Sequence, residues 1–240
     1  MSTTTPTPSW LRATKTLVGA HLRLAAWFWG IMIALLVGGH VLMGTVIGTR
    51  VLIANYGSHG ATWFVFSLGV IFTFAFLPVH ITSGLTRRSF IRANILTALT
   101  IGLVYGVGLF LLVLLEQVVF PAASLPYDTD PVIGVGSSVP WGVLIGQTLL
   151  STTAILCGLL VAIAYYRTNP LVGTVLLIPT VGPVLVMVAL TAGDAPLQQW
   201  LGLPTSTGLA VLAAGLVIAA AATAFHLVTR HVPINPVEQS

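Results

Sequence analysis

The chain has 240 residues, of which 56% are hydrophobic and only 6% are charged, and its mean hydropathy is +1.01. A water-soluble domain carries roughly a quarter charged residues, so this composition excludes a soluble globular protein. The pI is about 9.7, but the Lys and Arg residues do not form one patch. We therefore expect membrane lipid, and not nucleic acid, as a partner.

Six stretches of the chain contain no Asp, Glu, Lys or Arg, and each exceeds the ~20 residues that cross a bilayer. In chain order these spans are 24–49, 61–85, 93–115, 131–166, 168–193 and 195–229. They predict an all-α integral membrane protein whose six-span transmembrane domain covers 24–230, with tails at 1–23 and 231–240. Gly102 and Gly106, four residues apart in span three, form one of several small-residue pairs that let helices approach closely.

Residues 1–23 are predicted to hold a cytoplasmic tail and an amphipathic helix. Apolar positions such as Trp10 and Leu17 recur at helical spacing, and Arg12 and Lys15 fall on the opposite side. Such a helix suits the surface of the inner leaflet; a frayed tail is the alternative. The apolar run that follows is longer than the 7–15-residue core of a signal peptide, so we expect it to be retained as span one.

The charged residues predict the orientation of the spans. All basic residues except Arg50 fall on one side of the predicted membrane; they are Arg12, Lys15, Arg23, Arg87, Arg88, Arg92, Arg167 and Arg230. The other side carries Arg50 with Glu116, Asp128, Asp130 and Asp194. Because basic loops stay in the cytoplasm, both termini are predicted to be cytoplasmic. The expected location is the plasma membrane, and the Gly, Ala, Val and Leu content is typical of a bacterium with GC-rich DNA.

Helix-breaking residues mark two outer segments and one span. Residues 117–140 are rich in Pro and Gly and predict an irregular outer loop. Residues 194–204 predict either a short helix dipping into the outer leaflet or an ordinary loop. Pro179 and Pro183 lie inside span five, where each removes a backbone donor and can kink the helix.

No catalytic motif is present in the sequence. The only lysine is Lys15, so there is no phosphate-binding G-x-x-x-x-G-K-[ST] loop, and neither H-E-x-x-H nor G-x-S-x-G occurs. The single cysteine, Cys157, has no partner for a disulfide or a thiolate site. We therefore predict a protein that is not an enzyme and has no catalytic residue, cofactor or metal; any ATP hydrolysis belongs to another chain.

The roles of three histidines and of one glutamate each have two interpretations. His21, His80 and His226 are all expected near the inner ends of spans, where a cluster would suit haem or a metal and isolated side chains would serve helix contacts. Glu116, at the outer end of span three, is either a proton or cation site or a residue at the water boundary.

The connection between spans two and three reads Ser-Gly-Leu-Thr-Arg-Arg-Ser-Phe-Ile-Arg over residues 83–92. Here the sequence resembles the membrane subunits of ABC-2 type transporters, which commonly show Gly-x-[Ser/Thr]-Arg-Arg-x-Phe in this loop. The family also has an amphipathic helix before span one, six spans with both termini inside, and short helices in the outer leaflet between spans five and six. The resemblance thus covers essentially the whole chain, although the long loop at 117–140 departs from the family pattern.

The resemblance implies that this connection docks into a groove of an ATPase subunit. The residues that would make the contact are Gly84, Thr86, Arg87, Arg88 and Phe90. The alternative is that the arginines only anchor the loop in the cytoplasm.

The function implied is that of a permease subunit of an ATP-binding-cassette exporter. Its partners would be a separate ATPase subunit and a second permease subunit, identical or related, and a nearly uncharged interior fits a hydrophobic or amphipathic substrate. One alternative is a non-transporting assembly, sensor or immunity protein. Another is an ion-driven secondary transporter that depends on Glu116 or His80.

Overall fold

The computed structural model of the chain describes residues 8–46, 53–84, 86–122, 140–191, 199–203 and 206–230. The helices in these ranges are α1 (Ser9–Val46), α2 (Ile53–Thr82), α3 (Arg87–Ala122), α4 (Pro140–Arg167), α5 (Pro170–Val175), α6 (Leu177–Thr191) and α7 (Thr207–Thr229). With α5 and α6 counted as one unit, 6 helices are long and apolar enough to cross a membrane. The described part of the chain is therefore all-helical, and the protein is a multi-pass membrane protein. Arg50, Asp128, Asp130, Asp194 and the 231–240 tail lie outside the described residues.

Helix α4 is the centre of the bundle. It packs against α2 and α3 on one side and against α6 and α7 on the other, while α1 packs mainly on α3. The apolar segment of α4 is 83% buried, whereas those of α1 and of the α5–α6 pair are each 17% buried. Helices α1, α5 and α6, at the edge of the bundle, thus present most of their apolar surface to lipid or to another subunit.

Small residues let α4 approach its neighbours closely. A Cβ atom on Gly102 of α3 would lie 3.0 Å from the carbonyl oxygen of Thr148, and one on Gly106 would lie 2.8 Å from that of Leu144. Gly102 and Gly106 therefore form the helix contact that their spacing predicts. A second glycine pair, Gly69 of α2 and Gly158 of α4, makes a similar crossing that the four-residue pattern did not reveal.

Helix α1 differs from the prediction, because it is one unbroken helix of 38 residues. At 1.5 Å per residue it is about 57 Å long, and no break separates the amphipathic segment from span one. The apolar span found within it is Ser9–Leu35, whereas the charge-free stretch began at Leu24. The segment before residue 24 lies along α2 and is continuous with the spanning helix.

The packing of α1 on α2 fixes the depth of Arg23. The rings of His21 and Phe72 are 4.2 Å apart and those of Phe28 and Phe64 are 5.0 Å apart. These contacts make the two helices antiparallel and put Arg23 level with the middle of α2. Its side chain is exposed on the surface of the single chain, whereas the charge pattern predicts that Arg23 lies before the span.

Two element boundaries also differ from the prediction. Helix α3 continues to Ala122, so the first residues of the predicted 117–140 loop are helical; residues 123–139 lie outside the described part. Span five is divided at Leu176, because Pro179 has no N–H to donate to the carbonyl of Val175. The predicted outer helix at 194–204 is described only at 199–203, which ends in a turn where Gly202 has φ +61°.

Candidate functional site

The α2–α3 connection is a tight turn at one end of the bundle. Helix α2 ends at Thr82, Gly84 adopts φ +75°, and α3 begins at Arg87. Glycine is suited to this left-handed conformation because it has no Cβ. The Thr86 hydroxyl accepts the backbone N–H of Ser89 at 3.2 Å, and the Thr86 carbonyl accepts that of Phe90 at 3.1 Å. Thr86 thus caps α3, and the two arginines form its first turn.

The five residues expected to contact an ATPase are brought together by this turn, but they are not equally accessible. Gly84, Thr86 and Arg88 are exposed, and Arg87 is half-buried. Phe90 is only 1% exposed, and its ring lies 5.3 Å from that of His80. A contact from Phe90 to another chain is incompatible with this burial, so Phe90 is a packing residue of the α2–α3 junction.

A buried polar pair closes the same junction from inside. His80 Nε2 of α2 lies 3.0 Å from the Ser89 hydroxyl of α3, and both residues are buried. A buried polar group without a partner is costly, so this pair fixes the register of the two helices next to the turn. The position of the arginines is therefore set by rigid elements.

Two arginines form hydrogen bonds with the end of α7, which lies beside the α2–α3 turn. Arg87 donates from Nη1 to the carbonyl of Arg230 at 3.2 Å, and Arg167 donates from Nη1 to the carbonyl of Val228 at 3.0 Å. Carbonyls in the last turn of a helix lack partners within the helix, and cations there are favoured by the helix dipole. The α2–α3 turn, the start of α1 and the ends of α4 and α7 all lie at this end of the bundle. We call it the basic end.

Neither arginine contact could be predicted from the amino-acid sequence. Arg87 and Arg167 were predicted to be anchors of cytoplasmic loops or, for Arg87, an ATPase contact. Their partners are 143 and 61 residues away along the chain. Only the tertiary packing of α3, α4 and α7 brings them together.

The three histidines of the basic end do not share partners. His21 Nδ1 donates to the carbonyl of Leu17 at 2.9 Å and its ring packs on Phe72, about 12 Å along α2 from His80. His226 is exposed. Within the described ranges, no group of three His, Cys, Asp or Glu side chains is arranged to hold a metal ion. His21 and His80 therefore each make a contact between helices of their own, to Phe72 and to Ser89.

Glu116 lies at the opposite end of the bundle, three residues before the end of the α3 span, and its side chain is buried. Its side chain is 1% exposed, and Oε1 accepts the backbone N–H of Ala54 at 3.1 Å in the first turn of α2. Carboxylates are stabilised at helix N-termini, where N–H groups are unpaired within the helix. The Glu116 side chain is thus enclosed by the bundle and caps α2, while its depth stays within one turn of the end of the α3 span.

A buried polar cluster lies one turn further in from this cap. The Ser58 hydroxyl of α2 donates to Gln147 Oε1 of α4 at 2.5 Å, and Gln147 Nε2 donates to the Ser151 hydroxyl at 2.9 Å. All three residues are fully buried. The half of the α2–α4 interface that lies nearer to Glu116 is thus joined by hydrogen bonds that add to the glycine contact.

Comparison with known proteins gives no further constraint on this site. No family model, no curated protein and no solved structure matches the chain.

Proposed function

We propose that this protein is the permease subunit of an ATP-binding-cassette exporter of the ABC-2 type, working with a separate ATPase subunit. The observation that carries the proposal is the α2–α3 turn at the basic end, where Arg88 and Thr86 are exposed on a rigid helix junction. Such a turn can meet an acidic groove, because a guanidinium donates to carboxylates in a fixed geometry. In the proposed orientation the basic end faces the cytoplasm of a bacterial cell.

The contacts of Arg87 suggest how movement of an ATPase would reach the membrane helices. Arg88 would bind the partner, while its neighbour Arg87 holds the last turn of α7 through the Arg230 carbonyl. A displacement of the turn would therefore act on α3 and α7 together. Because α3 is packed tightly on α4 through Gly102 and Gly106, α3 and α4 would shift as one body between two states.

The exposed face of α1 supports an assembly of more than one membrane subunit. Arg23 lies at the level of the middle of α2 and borders a groove of about 570 Å³ with Trp27, which is 74% exposed, and Gly30. A charged side chain facing lipid near the centre of a bilayer costs ~2.5–3.5 kcal/mol or more. A second subunit or a hydrated path along this face would remove that cost, as expected for a permease pair.

The test is recovery of an ATPase with the tagged protein from its native host in mild detergent, identified by mass spectrometry. The variant Arg88→Glu is compared with Lys15→Glu, which reverses one exposed charge on α1 away from the turn. We expect Arg88→Glu to lower the recovered ATPase about tenfold or more, since charge-assisted hydrogen bonds are lost. Lys15→Glu should leave the recovery near that of the wild type.

Folding of each sample is checked by its membrane level and its gel-filtration profile. If folded wild-type protein recovers no ATPase, the permease proposal fails and the non-transporting alternative gains support. If Lys15→Glu loses the ATPase as fully as Arg88→Glu, the contact does not depend on the turn.

A second candidate function is ion-driven transport, which the burial of Glu116 favours. This carboxyl lies inside the helix bundle and contacts the first turn of α2. An ionisable side chain within a membrane bundle commonly takes part in proton or cation transfer. The structural role of Glu116 as a helix cap is the competing explanation, and the two are separated by the variants described in the Discussion.

A further inference from the structure

A cavity of about 410 Å³ opens at the basic end between the first turns of α1 and the ends of α2 and α3. Its size falls in the ~300–1,000 Å³ range of ligand pockets. Ser83 and Phe90, on either side of the α2–α3 turn, line the cavity, but Arg88, the exposed arginine of the proposed ATPase contact, is not among its lining residues. The arginine of the cavity is Arg12 of α1.

One side of the cavity is apolar. Leu17 of α1, Phe76 and Val79 of α2, and the edge of Phe90 form this wall. Leu17 and Phe90 are buried in the bundle, whereas Val79 is 61% exposed. The wall therefore continues onto the outer surface of the helices, where a hydrocarbon chain can lie against it.

The cavity also has a polar lining with one permanent positive charge. Its polar residues are Ser9, Arg12, Thr16, His80 and Ser83, and the charge is that of Arg12. The Thr16 hydroxyl donates to the Arg12 carbonyl at 3.2 Å and that of Ser83 to the His80 carbonyl at 2.9 Å. The hydroxyl protons of Thr16 and Ser83 are therefore already in use, and Arg12, with its five N–H donors, is the group of the lining that would bind an anion.

Charge balance around the cavity favours an anionic ligand. The one carboxylate that the described ranges contain is Glu116, at the opposite end of the bundle. Arg12 is therefore not neutralised by an acid from the described part of the chain. A guanidinium beside an apolar wall matches a phosphate attached to a hydrocarbon chain.

We propose that this cavity binds an anionic phospholipid, with the phosphate on Arg12 and one acyl chain along Leu17, Phe76 and Val79. The depth of the cavity agrees with a bound phospholipid, because the cavity lies beside the last turns of the α2 span, where we expect the membrane boundary. Basic pockets between transmembrane helices are suited to lipid headgroups. The proposal does not depend on the ABC-2 assignment.

The test is native mass spectrometry of the full chain, purified in a neutral detergent and mixed with phosphatidylglycerol or phosphatidylcholine. In detergent no charged bilayer surface remains, so a retained lipid reports a site. We expect wild-type protein to retain phosphatidylglycerol about tenfold more than phosphatidylcholine, and Arg12→Gln to lose that preference. Lys15→Gln, which removes one charge three residues away and outside the lining, should keep it within about twofold, because an exposed charge is screened by salt.

A pair of bulky substitutions tests the cavity without changing charge. Ala13 lines the cavity, and Ala75 is exposed on α2 outside it. Ala13→Phe should lower the retained phosphatidylglycerol about tenfold, and Ala75→Phe should leave it unchanged. Because both variants keep Arg12, loss with Ala13→Phe alone locates the lipid in the cavity.

Three results would overturn the proposal. One is equal retention of the two lipids by the wild type, and another is equal loss with Arg12→Gln and Lys15→Gln. The third is displacement of phosphatidylglycerol by an equal concentration of inorganic phosphate, which would show a site for a free anion. Retention of the lipid in excess phosphate supports an occupant that is held by both its headgroup and its chain.

Discussion

The crossing of α2 and α4 at Gly69 and Gly158 gives the sharpest test of the fold. In Gly158→Ala the new Cβ would lie 3.1 Å from the Val70 nitrogen and 3.2 Å from the Gly69 Cα, and closer still to the carbonyl oxygen of Phe66. All of these atoms belong to the backbone of α2. Rotation of a side chain cannot relieve the overlap, so the two helices must move apart.

The size of the effect follows from two opposing contributions. Overpacking of a tight core costs about 1–3 kcal/mol, and α4 is the helix on which α2, α3, α6 and α7 all pack. The matched control is Gly215→Ala in α7, because a Cβ at Gly215 would meet no atom within 4 Å. Replacing glycine by alanine inside a helix stabilises it by up to about 1 kcal/mol. Because Gly158 and Gly215 both lie inside helices, this gain applies to both variants and cancels. The free energies of unfolding of the two variants should therefore differ by the overpacking cost, about 1–3 kcal/mol.

The free energy of unfolding can be measured by titrating the protein in dodecyl maltoside with sodium dodecyl sulfate and following its circular dichroism. Gly158→Ala should unfold at a lower mole fraction of dodecyl sulfate than the wild type, and Gly215→Ala at the same or a higher fraction. If Gly158→Ala is as stable as Gly215→Ala, the helices do not cross at these glycines, and the central position of α4 would have to be reconsidered.

Two further predictions concern the helix caps. In Arg87→Gln the bond to the Arg230 carbonyl is weakened. Amide hydrogen exchange in the last turn of α7 should therefore become about two- to fivefold faster than in the wild type and in the control Lys15→Gln. Unchanged exchange would mean that Arg87 does not hold α7. Glu116→Gln keeps an acceptor for the Ala54 N–H and should be close to wild type in stability, whereas Glu116→Leu should lose about 1–3 kcal/mol. If the protein is ion-driven, Glu116→Gln also abolishes proton uptake into proteoliposomes; a stable variant with normal uptake would leave Glu116 as a cap only.

The number of membrane helices could be predicted from the sequence because it depends on a local property. Each span is a charge-free apolar stretch, and an isolated backbone in lipid must satisfy its own hydrogen bonds by forming a helix. The break in span five is also local, since Pro179 lacks the N–H that the carbonyl of Val175 requires. In both cases the information lies within a few residues of the feature.

The position of span one along the axis of the bundle could not be predicted from such a local property. Absence of charge placed its start at Leu24, with Arg23 as the last residue outside it. The depth of Arg23 is instead set by the contacts of His21 with Phe72 and of Phe28 with Phe64. These pairs are far apart in sequence, and aromatic residues carry no local signal for the partner they will meet.

The candidate coupling site was predicted only in part, because some of its contacts join residues that are far apart in the sequence. The motif correctly indicated a glycine turn followed by an exposed Arg88. It could not indicate that Phe90 is buried against His80 or that Arg87 is bound to the end of α7. Burial and long-range capping depend on how α2, α3 and α7 meet, which no single segment encodes.

The two interpretations of the basic α2–α3 turn are compatible once its arginines are considered one by one. Arg87 donates to the C-terminal carbonyl of α7 and stabilises the bundle whether or not a partner binds. Arg88 is exposed one position later, so it is the residue with freedom to bind another chain. Separate variants at these two positions should therefore have separate effects. Loss of the ATPase with Arg88→Glu and faster exchange in α7 with Arg87→Gln would assign docking to Arg88 and transmission of the movement to Arg87.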